Sequence, residues 1–320
     1  MVSDAFSDLI GQDQAIALLR GVIASNRIAP AYLFAGPSGV GRSLAAKAFI
    51  QLLLCRDLPS SKQESIQRRL RQGNHPDVLW VEPTYLHNGI PLSAAQATEK
   101  GLKRKAPPQI RLEQIREISQ FLSRSALEAS RKIVVLEQAE TMAEAAANGL
   151  LKTLEEPGKA TLILMAPSTE DLLPTLISRC QRIPFYRLAQ SEMEAVLRKT
   201  GREEILKESF ILAIAQGSPG EAIAAFTQLQ ALPKQLLQDL IGLPQSPRKA
   251  LELAKIIDKT LDTEAQLWLV NYLQHCYWHY QHQPVIIQQL EQARKYLLGY
   301  AQPRLVWEVT LLKLSQAAGF

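Results

Sequence analysis

The residues best placed to do chemistry lie in segment 36–43, which reads Gly-Pro-Ser-Gly-Val-Gly-Arg-Ser. This spacing is that of a phosphate-binding loop, G-x-x-x-x-G-K-[ST], whose lysine reaches the β- and γ-phosphates and whose hydroxyl binds Mg²⁺. Gly36, Gly41 and Ser43 keep the pattern and Gly39 adds a third glycine, but Arg42 stands at the lysine position. Arginine keeps the charge on a longer, planar fork, so the exchange is not conservative. The loop is predicted to bind ATP weakly or not at all.

A second part of the same site is predicted after the apolar segment 132–136. In a working site, the end of such a strand presents an Asp to the Mg²⁺ shell and a Glu that orients water. Here those positions hold Glu137 and Gln138. Glu137 is longer by one methylene, which displaces the carboxylate, and Gln138 has no basic oxygen. Together with Arg42, these residues predict a degenerate nucleotide site that requires no cofactor and does not hydrolyse ATP.

The elements that must position these residues alternate between helix and strand over roughly the first 185 residues. This alternation predicts an α/β domain with a parallel sheet covered by helices. The region 85–108, with Asn-Gly and Pro-Pro, is predicted to be a long loop or insertion, and 57–72 is predicted to be helical. Strands are predicted at 31–34, 78–81, 132–136, 161–165 and 182–185, and helices at 12–25, 44–54, 112–123, 142–154 and 172–178.

After Phe185 the strand pattern disappears and amphipathic helical segments follow, separated by Gly and Pro breaks. We predict three domains: an α/β P-loop domain at 1–185, a small helical domain at 186–232 and an all-α C-terminal domain at 233–320.

Composition excludes several classes of protein. With 47% hydrophobic and 21% charged residues in 320, and no apolar run of about 18 residues, no membrane partner is expected. The first residues lack the basic and apolar segments of a secretory signal, so a cytoplasmic location is expected. A net charge of +5 supports nucleic-acid binding only weakly. The densest basic run, within 100–111, is interpreted as a solvated loop in preference to a DNA contact.

Five separated blocks resemble the clamp-loader branch of the AAA+ proteins, and the resemblance covers about residues 5–225. The blocks lie at 6–12, 31–36, 73–77 (Gly-Asn-His-Pro-Asp), 146–157 (ending Thr-Leu-Glu-Glu-Pro) and 174–181 (Pro-Thr-Leu-Ile-Ser-Arg-Cys-Gln). The resemblance implies an AAA+ domain, a helical lid and a C-terminal collar that holds five subunits in a ring. The implied partners are gamma/tau and delta subunits in a hetero-pentamer, a sliding clamp, and primed DNA reached through the complex.

In that family the arginine of the Ser-Arg-Cys block acts as a finger that enters the ATP site of the neighbouring subunit. By this match the finger is Arg179, with Ser178 and Cys180 positioning it. A guanidinium supplied in trans stabilises the charge of phosphoryl transfer. The alternative interpretation is an arginine in a surface salt bridge.

Two further departures separate the chain from ATP-hydrolysing relatives, and a third, the lack of a zinc module, separates it from its relatives in general. Ala166 and Pro167 follow segment 161–165 where the ATP-hydrolysing relatives carry a small polar residue, and the turn 217–220 reads Gly-Ser-Pro-Gly without their arginine. Relatives also carry a four-cysteine zinc module after the P-loop helix. Only Cys55 precedes His75 here, so no zinc is expected.

One stripe of the helix predicted at 263–282 holds aromatic and histidine residues, namely Trp268, Tyr272, His275, His279 and His282. No matching ligands complete a metal site, so aromatic packing or a subunit interface is preferred.

Three functions remain open from the sequence. The first is a non-hydrolysing clamp-loader subunit that donates Arg179. The second is an active ATPase of the gamma/tau kind or a DNA-remodelling motor. The third is an interaction scaffold whose P-loop is a structural relic.

Overall fold

The computed structural model describes residues 5–56, 58–100, 107–281, 284–299 and 301–317. The chain divides into two compact units. The first comprises Met1–Ala94, Pro108–Lys207 and Ala215–Glu221, and the second comprises Ala95–Pro107, Glu208–Ile214 and Ala222–Phe320.

The first unit is built on a five-stranded parallel sheet whose strands lie, in spatial order, at 78–81, 132–136, 160–166, 31–35 and 181–184. Three of its strands are buried along their whole length and read as apolar runs, as expected for a parallel sheet covered on both faces. The strands are β1 Ala31–Ala35, β2 Val78–Val81, β3 Tyr85–His87, β4 Ile90–Leu92, β5 Lys132–Leu136, β6 Ala160–Ala166 and β7 Gln181–Pro184.

Helices cover this sheet, and the core between them is aliphatic. Ile118, Val134, Leu150 and Leu164 are fully buried in one cluster. The helices of this unit are α1 Asp13–Ser25, α2 Arg42–Cys55, α3 Ser60–Gln72, α5 Leu112–Ser123, α6 Glu144–Glu155, α7 Pro174–Ile177 and α8 Gln190–Lys199, with 3₁₀ turns at Ala139–Thr141, Thr169–Asp171 and Glu203–Lys207. Helix α4, Ala94–Glu99, belongs to the second unit except for Ala94.

In the second unit the described core is helical. Its centre is Trp307, which is fully buried and whose Nε1 donates to Gln266 Oε1 at 2.9 Å. The hydroxyl of Tyr277, also buried, donates to the Leu240 carbonyl. The remaining helices are α9 Ser209–Ala215, α10 Pro219–Ala231, α11 Lys234–Ile241, α12 Pro247–Thr260, α13 Thr263–Gln281, α14 Pro284–Leu298 and α15 Pro303–Ala317.

The fold class predicted from the sequence is confirmed, and the strands at 78–81 and 132–136 have the predicted bounds. The helix at 172–178 is shorter than predicted and contains only Pro174–Ile177. The three-domain boundaries stay a prediction. None of the helices in the described part of the chain has the length and apolarity needed to cross a bilayer.

Segment 85–108 was predicted to be a long loop or insertion, and the loop alternative was wrong for its first part. Strands β3 and β4 pair antiparallel there, and α4 follows them. Asn88 and Gly89 connect the strands with φ values of 50° and 80°. Two successive positive φ angles are those of a type I′ hairpin turn, for which Asn-Gly is the preferred pair. This dipeptide was therefore a hairpin signal.

Candidate nucleotide site and arginine finger

The phosphate-binding loop joins β1 to α2, as its sequence pattern predicts. Gly36 N–H donates to the Ala166 carbonyl at 3.1 Å, and α2 begins at Arg42. Gly39 and Gly41 have φ of 72° and 107°, which side-chain-bearing residues rarely adopt. A Cβ on Gly36 would lie 2.3 Å from the Phe185 carbonyl oxygen. Both the backbone conformation and the close packing therefore require glycine in this loop.

The hydroxyl that would bind Mg²⁺ is bonded to protein. Ser43 Oγ donates to Glu137 Oε1 at 2.9 Å, and Trp80 Nε1 donates to the same oxygen at 3.0 Å. The longer Glu137 side chain therefore does not hold its carboxylate away from the loop but reaches Ser43 directly. Ser43 and Glu137, the two residues at the positions for the Mg²⁺ shell, are therefore hydrogen-bonded to each other.

Arg42 is buried, with only 7% of its surface exposed. Burial lowers the pKa of its guanidinium, while the carboxylates of Glu140, Glu137 and Glu221 act in the opposite direction. Burial likewise raises the pKa of Glu140, against the effect of Arg42. Within the described residues, Arg42 Nη1 is buried without a hydrogen-bond partner. Arg42 therefore acts as a buried counter-ion for these three carboxylates.

Segment 217–220, which the sequence predicts as a turn, runs into the start of α10 at Pro219 and lies directly against the phosphate-binding loop. Ser218 Oγ donates to the Ser38 carbonyl at 2.7 Å, and Gly220 N–H donates to the Gly39 carbonyl at 2.9 Å. The backbones are so close that a Cβ on Gly220 would lie 2.6 Å from Gly39 Cα. The turn that lacks an arginine thus covers two residues of the loop with backbone and hydroxyl contacts.

Gln138 occupies a turn at the end of β5. It is exposed, its backbone is left-handed with φ of 49°, and its carbonyl accepts from Thr141 N–H at 2.9 Å. Ala166, at the end of β6, is fully buried. Gln138 and Ala166, which the sequence analysis compared with catalytic positions, therefore serve here in a turn and in packing.

Arg179 lies on the surface, just after α7. Its Nη2 is 2.8 Å from Glu155 Oε1, and its Nη1 donates to the Thr175 carbonyl at 2.9 Å. Ser178 Oγ donates to the same carbonyl at 3.1 Å. Burial raises the pKa of the Cys180 thiol to about 11, so the thiol stays protonated at neutral pH. Arg179 and Ser178 thus share the Thr175 carbonyl as an acceptor. The ion-pair partner of Arg179 is Glu155, to which the sequence analysis assigned no function.

Sequence reasoning also missed the role of Asp77. Its buried carboxylate accepts backbone N–H groups of Leu127, Glu128 and Ala129 at 2.7, 2.7 and 2.8 Å. Burial raises the pKa of this carboxyl, but these hydrogen bonds favour the charged form and the net pKa is lowered. The available signal was a single Asp at the end of the Gly-Asn-His-Pro-Asp block, just before the apolar strand β2.

The stripe on α13 forms aromatic contacts within the second unit. The Trp268 and Tyr272 rings stack at 5.4 Å, and Phe210 packs edge-on against Tyr272 at 4.5 Å and His275 at 4.8 Å. His275 and His279 stack at 6.3 Å, and burial, then His279, lowers the pKa of His275. His282 lies outside the described residues, among which no group of three metal-ligating side chains occurs.

Family comparisons match nearly the whole chain. The family described as DNA polymerase III, delta subunit, matches residues 11–189. The family described as cyanobacterial DNA polymerase III delta prime, C-terminal domain, matches residues 191–314.

Individual relatives agree with this assignment. The chain is 32% identical over 186 residues to DNA polymerase III subunit delta′ of Bacillus subtilis, covering 57% of this chain and 50% of that protein. It is 35% identical over 199 residues to the Pseudomonas aeruginosa subunit delta′, covering 60% and 54%. The matches thus span about half the length of these relatives.

Among solved structures, a DNA polymerase III gamma subunit-related protein from Thermotoga maritima superposes with a TM-score of 0.53. The two chains are 20% identical, and the superposition covers 95% of this chain and 99% of the other. At this identity the likeness concerns the fold.

Proposed function

Because the chain belongs to the DNA polymerase III delta-prime family, we propose that it is a non-hydrolysing clamp-loader subunit that lends Arg179 to a neighbouring ATP site. Its partners in this proposal are gamma/tau and delta subunits in a hetero-pentamer, which acts on a sliding clamp and primed DNA. A cytoplasmic location follows from that role.

The observation that carries the proposal is the ion pair between Arg179 and Glu155. The two side chains are 37% and 53% exposed, so water competes for both groups. A triphosphate with its Mg²⁺ offers the guanidinium several oxygens in bidentate geometry and more negative charge than one carboxylate. Arg179 can exchange partners at the surface, which a finger acting in trans requires.

The chain's own nucleotide site supports the non-hydrolysing half of the proposal. Mg²⁺ needs oxygen ligands that keep near-octahedral geometry, and Ser43 is already bonded to Glu137. The turn at Ser218 and Gly220 contacts the loop carbonyls directly. Mg²⁺ binding at Ser43 would have to compete with its hydrogen bond to Glu137, so weak or no affinity for ATP is part of the proposal.

An interaction scaffold is the second candidate, because the same ion pair also fits a purely structural role of Arg179. A surface arginine whose only task is to hold Glu155 would show the geometry observed. The two functions differ in what happens when Arg179 is removed from the assembled complex.

The test measures ATP hydrolysis by the purified chain alone and by the complex reconstituted with the gamma/tau and delta subunits. We expect negligible turnover by the chain alone and a partial loss of kcat with Arg179→Ala. One site loses a group worth about 10³ to 10⁵ in rate, while the other sites keep theirs. The matched control is Arg182→Ala, which removes an exposed arginine three residues away.

Three outcomes would overturn parts of this proposal. Robust turnover by the chain alone would favour an active ATPase. An Arg179→Ala complex with wild-type kcat would favour the scaffold. An equal loss with Arg182→Ala would show that the effect comes from surface charge and not from a finger.

A further inference from the structure

A cavity of about 300 Å³ lies in the first unit, on the side of β2 that faces α2 and α3. Its wall is partly apolar, with Ile50, Leu70 and Val78, and carries the charged side chains of Lys47 and Arg71. The volume is at the lower end of the range for small-molecule sites. Neither the P-loop pattern nor the finger accounts for this cavity.

His75 lines the cavity with an unsatisfied donor. Only 3% of the residue is exposed, and its Nδ1 accepts Asp77 N–H at 3.2 Å. Because Nδ1 acts as the acceptor, the proton of the neutral ring is on Nε2. Burial lowers the pKa of His75, which favours this neutral form. Nε2 has no partner among the described residues, and a buried N–H without an acceptor is destabilising.

Two cations accompany this donor. Lys47 and Arg71 are exposed, and neither forms an ion pair within the described part of the chain. The Lys47 ammonium lies 5.7 Å from the centre of the Trp80 ring. Glu137 is the carboxylate in the wall, and its Oε1 is already bonded to Ser43 and Trp80. The cavity therefore combines two cations that have no carboxylate partner among the described residues, a buried N–H donor and a partly apolar wall.

We propose that this cavity binds a small organic oxyanion, a phosphate or carboxylate carried on an apolar body. Arg71, Lys47 and the Nε2–H of His75 bind the charged group, and Ile50, Leu70 and Val78 contact the body. An oxyanion supplies the acceptor that His75 lacks, and it gives the two cations a charge-assisted partner. This site does not depend on the proposed role of Arg179.

The test titrates the full-length chain with phenyl phosphate and with benzoate, followed by calorimetry and by the ¹⁵N resonance of His75 Nε2. We expect saturable binding of at least one of them with a shift of that resonance, and the stronger of the two identifies the charged group. Benzyl alcohol, which has the body without the charge, should bind at least about tenfold more weakly. Inorganic phosphate, which lacks the apolar body, should also bind more weakly.

Variants distinguish specific binding in the cavity from nonspecific binding of anions to surface cations. Arg71→Ala and Lys47→Ala should each weaken binding by about tenfold or more. Arg68→Ala removes an exposed arginine from the same helix, outside the cavity wall, and should leave binding unchanged. Three results would overturn the proposal: no saturable binding of either probe, an equal loss with Arg68→Ala, or binding that leaves the His75 resonance unmoved.

Discussion

Arg179 and Glu155 form an ion pair, with Nη2 and Oε1 2.8 Å apart, that joins the segment after α7 to the end of α6. Both residues come from blocks that the family resemblance identified, at 174–181 and 146–157. The second guanidinium nitrogen, Nη1, donates to Thr175, in the helix just before Arg179. The hydrogen bond to Thr175 thus orients Arg179. Because the ion pair with Glu155 is exposed, it contributes little to the free energy of unfolding.

Replacing Glu155 by Gln should leave the folded state almost unchanged. An exposed pair contributes up to about 1 kcal/mol, so the free energy of unfolding in urea should change by less than that. ATP hydrolysis by the reconstituted complex should be retained, because the triphosphate and not Glu155 is the partner of Arg179 during the reaction. Glu156→Gln, at the exposed neighbouring position, is the matched control. A loss of hydrolysis as large as that of Arg179→Ala would contradict this prediction.

Restoring the P-loop lysine should not restore hydrolysis. In Arg42→Lys the compact ammonium returns, but Ser43 remains bonded to Glu137 and Ser218 remains bonded to the loop at Ser38. We expect phosphate release by the purified variant to stay at the background level of the wild-type chain, with an active gamma/tau subunit as the positive control. Turnover in the purified variant would show that Arg42 alone keeps the site inactive.

Gly39→Ala should destabilise the chain more than Gly158→Ala. Both glycines have positive φ, 72° and 60°, so each alanine has a backbone cost of about 1–2 kcal/mol. At Gly39 the new Cβ would also lie 2.5 Å from Ser218 Oγ and 2.8 Å from Gly220 Cα, whereas at Gly158 nothing lies within 4 Å. The steric difference should add about 1–3 kcal/mol in urea unfolding. Equal losses would mean that the turn 217–220 does not pack on the loop.

Asp77→Asn should cost stability in a pH-dependent way. The pKa of Asp77 is lowered in the folded state, so the stabilisation is fully present above its ordinary value of 3.8 and is lost as the pH falls through the folded-state pKa. The neutral Asn side chain lacks the negative charge of the carboxylate that accepts the backbone N–H groups of residues 127–129. The loss at pH 7 should be about 2 kcal/mol, and it should shrink below about pH 4. Urea unfolding of both proteins between pH 3 and 7 checks this, and a constant difference would contradict it.

The sequence predicted strands well where a strand is a continuous run of apolar residues. Segments 132–136 and 78–81 read as continuous apolar runs, and the structure gives the strands those bounds. The hairpin at Tyr85–His87 and Ile90–Leu92 was missed because its strands are only three residues long, mostly exposed, and show no apolar period. Its Asn88-Gly89 turn was the remaining signal.

The sequence by itself determined the phosphate-binding loop, the parallel sheet and the family, because each depends on spacing within one segment or on matching blocks. Only the tertiary structure decided what the site residues contact. Glu137 bonds Ser43 across 94 positions, Ser218 bonds Ser38 across 180, and Arg179 meets Glu155 across 24. Such pairs form only when strands and turns pack in three dimensions, and the distance between two residues in space cannot be read from their separation along the chain.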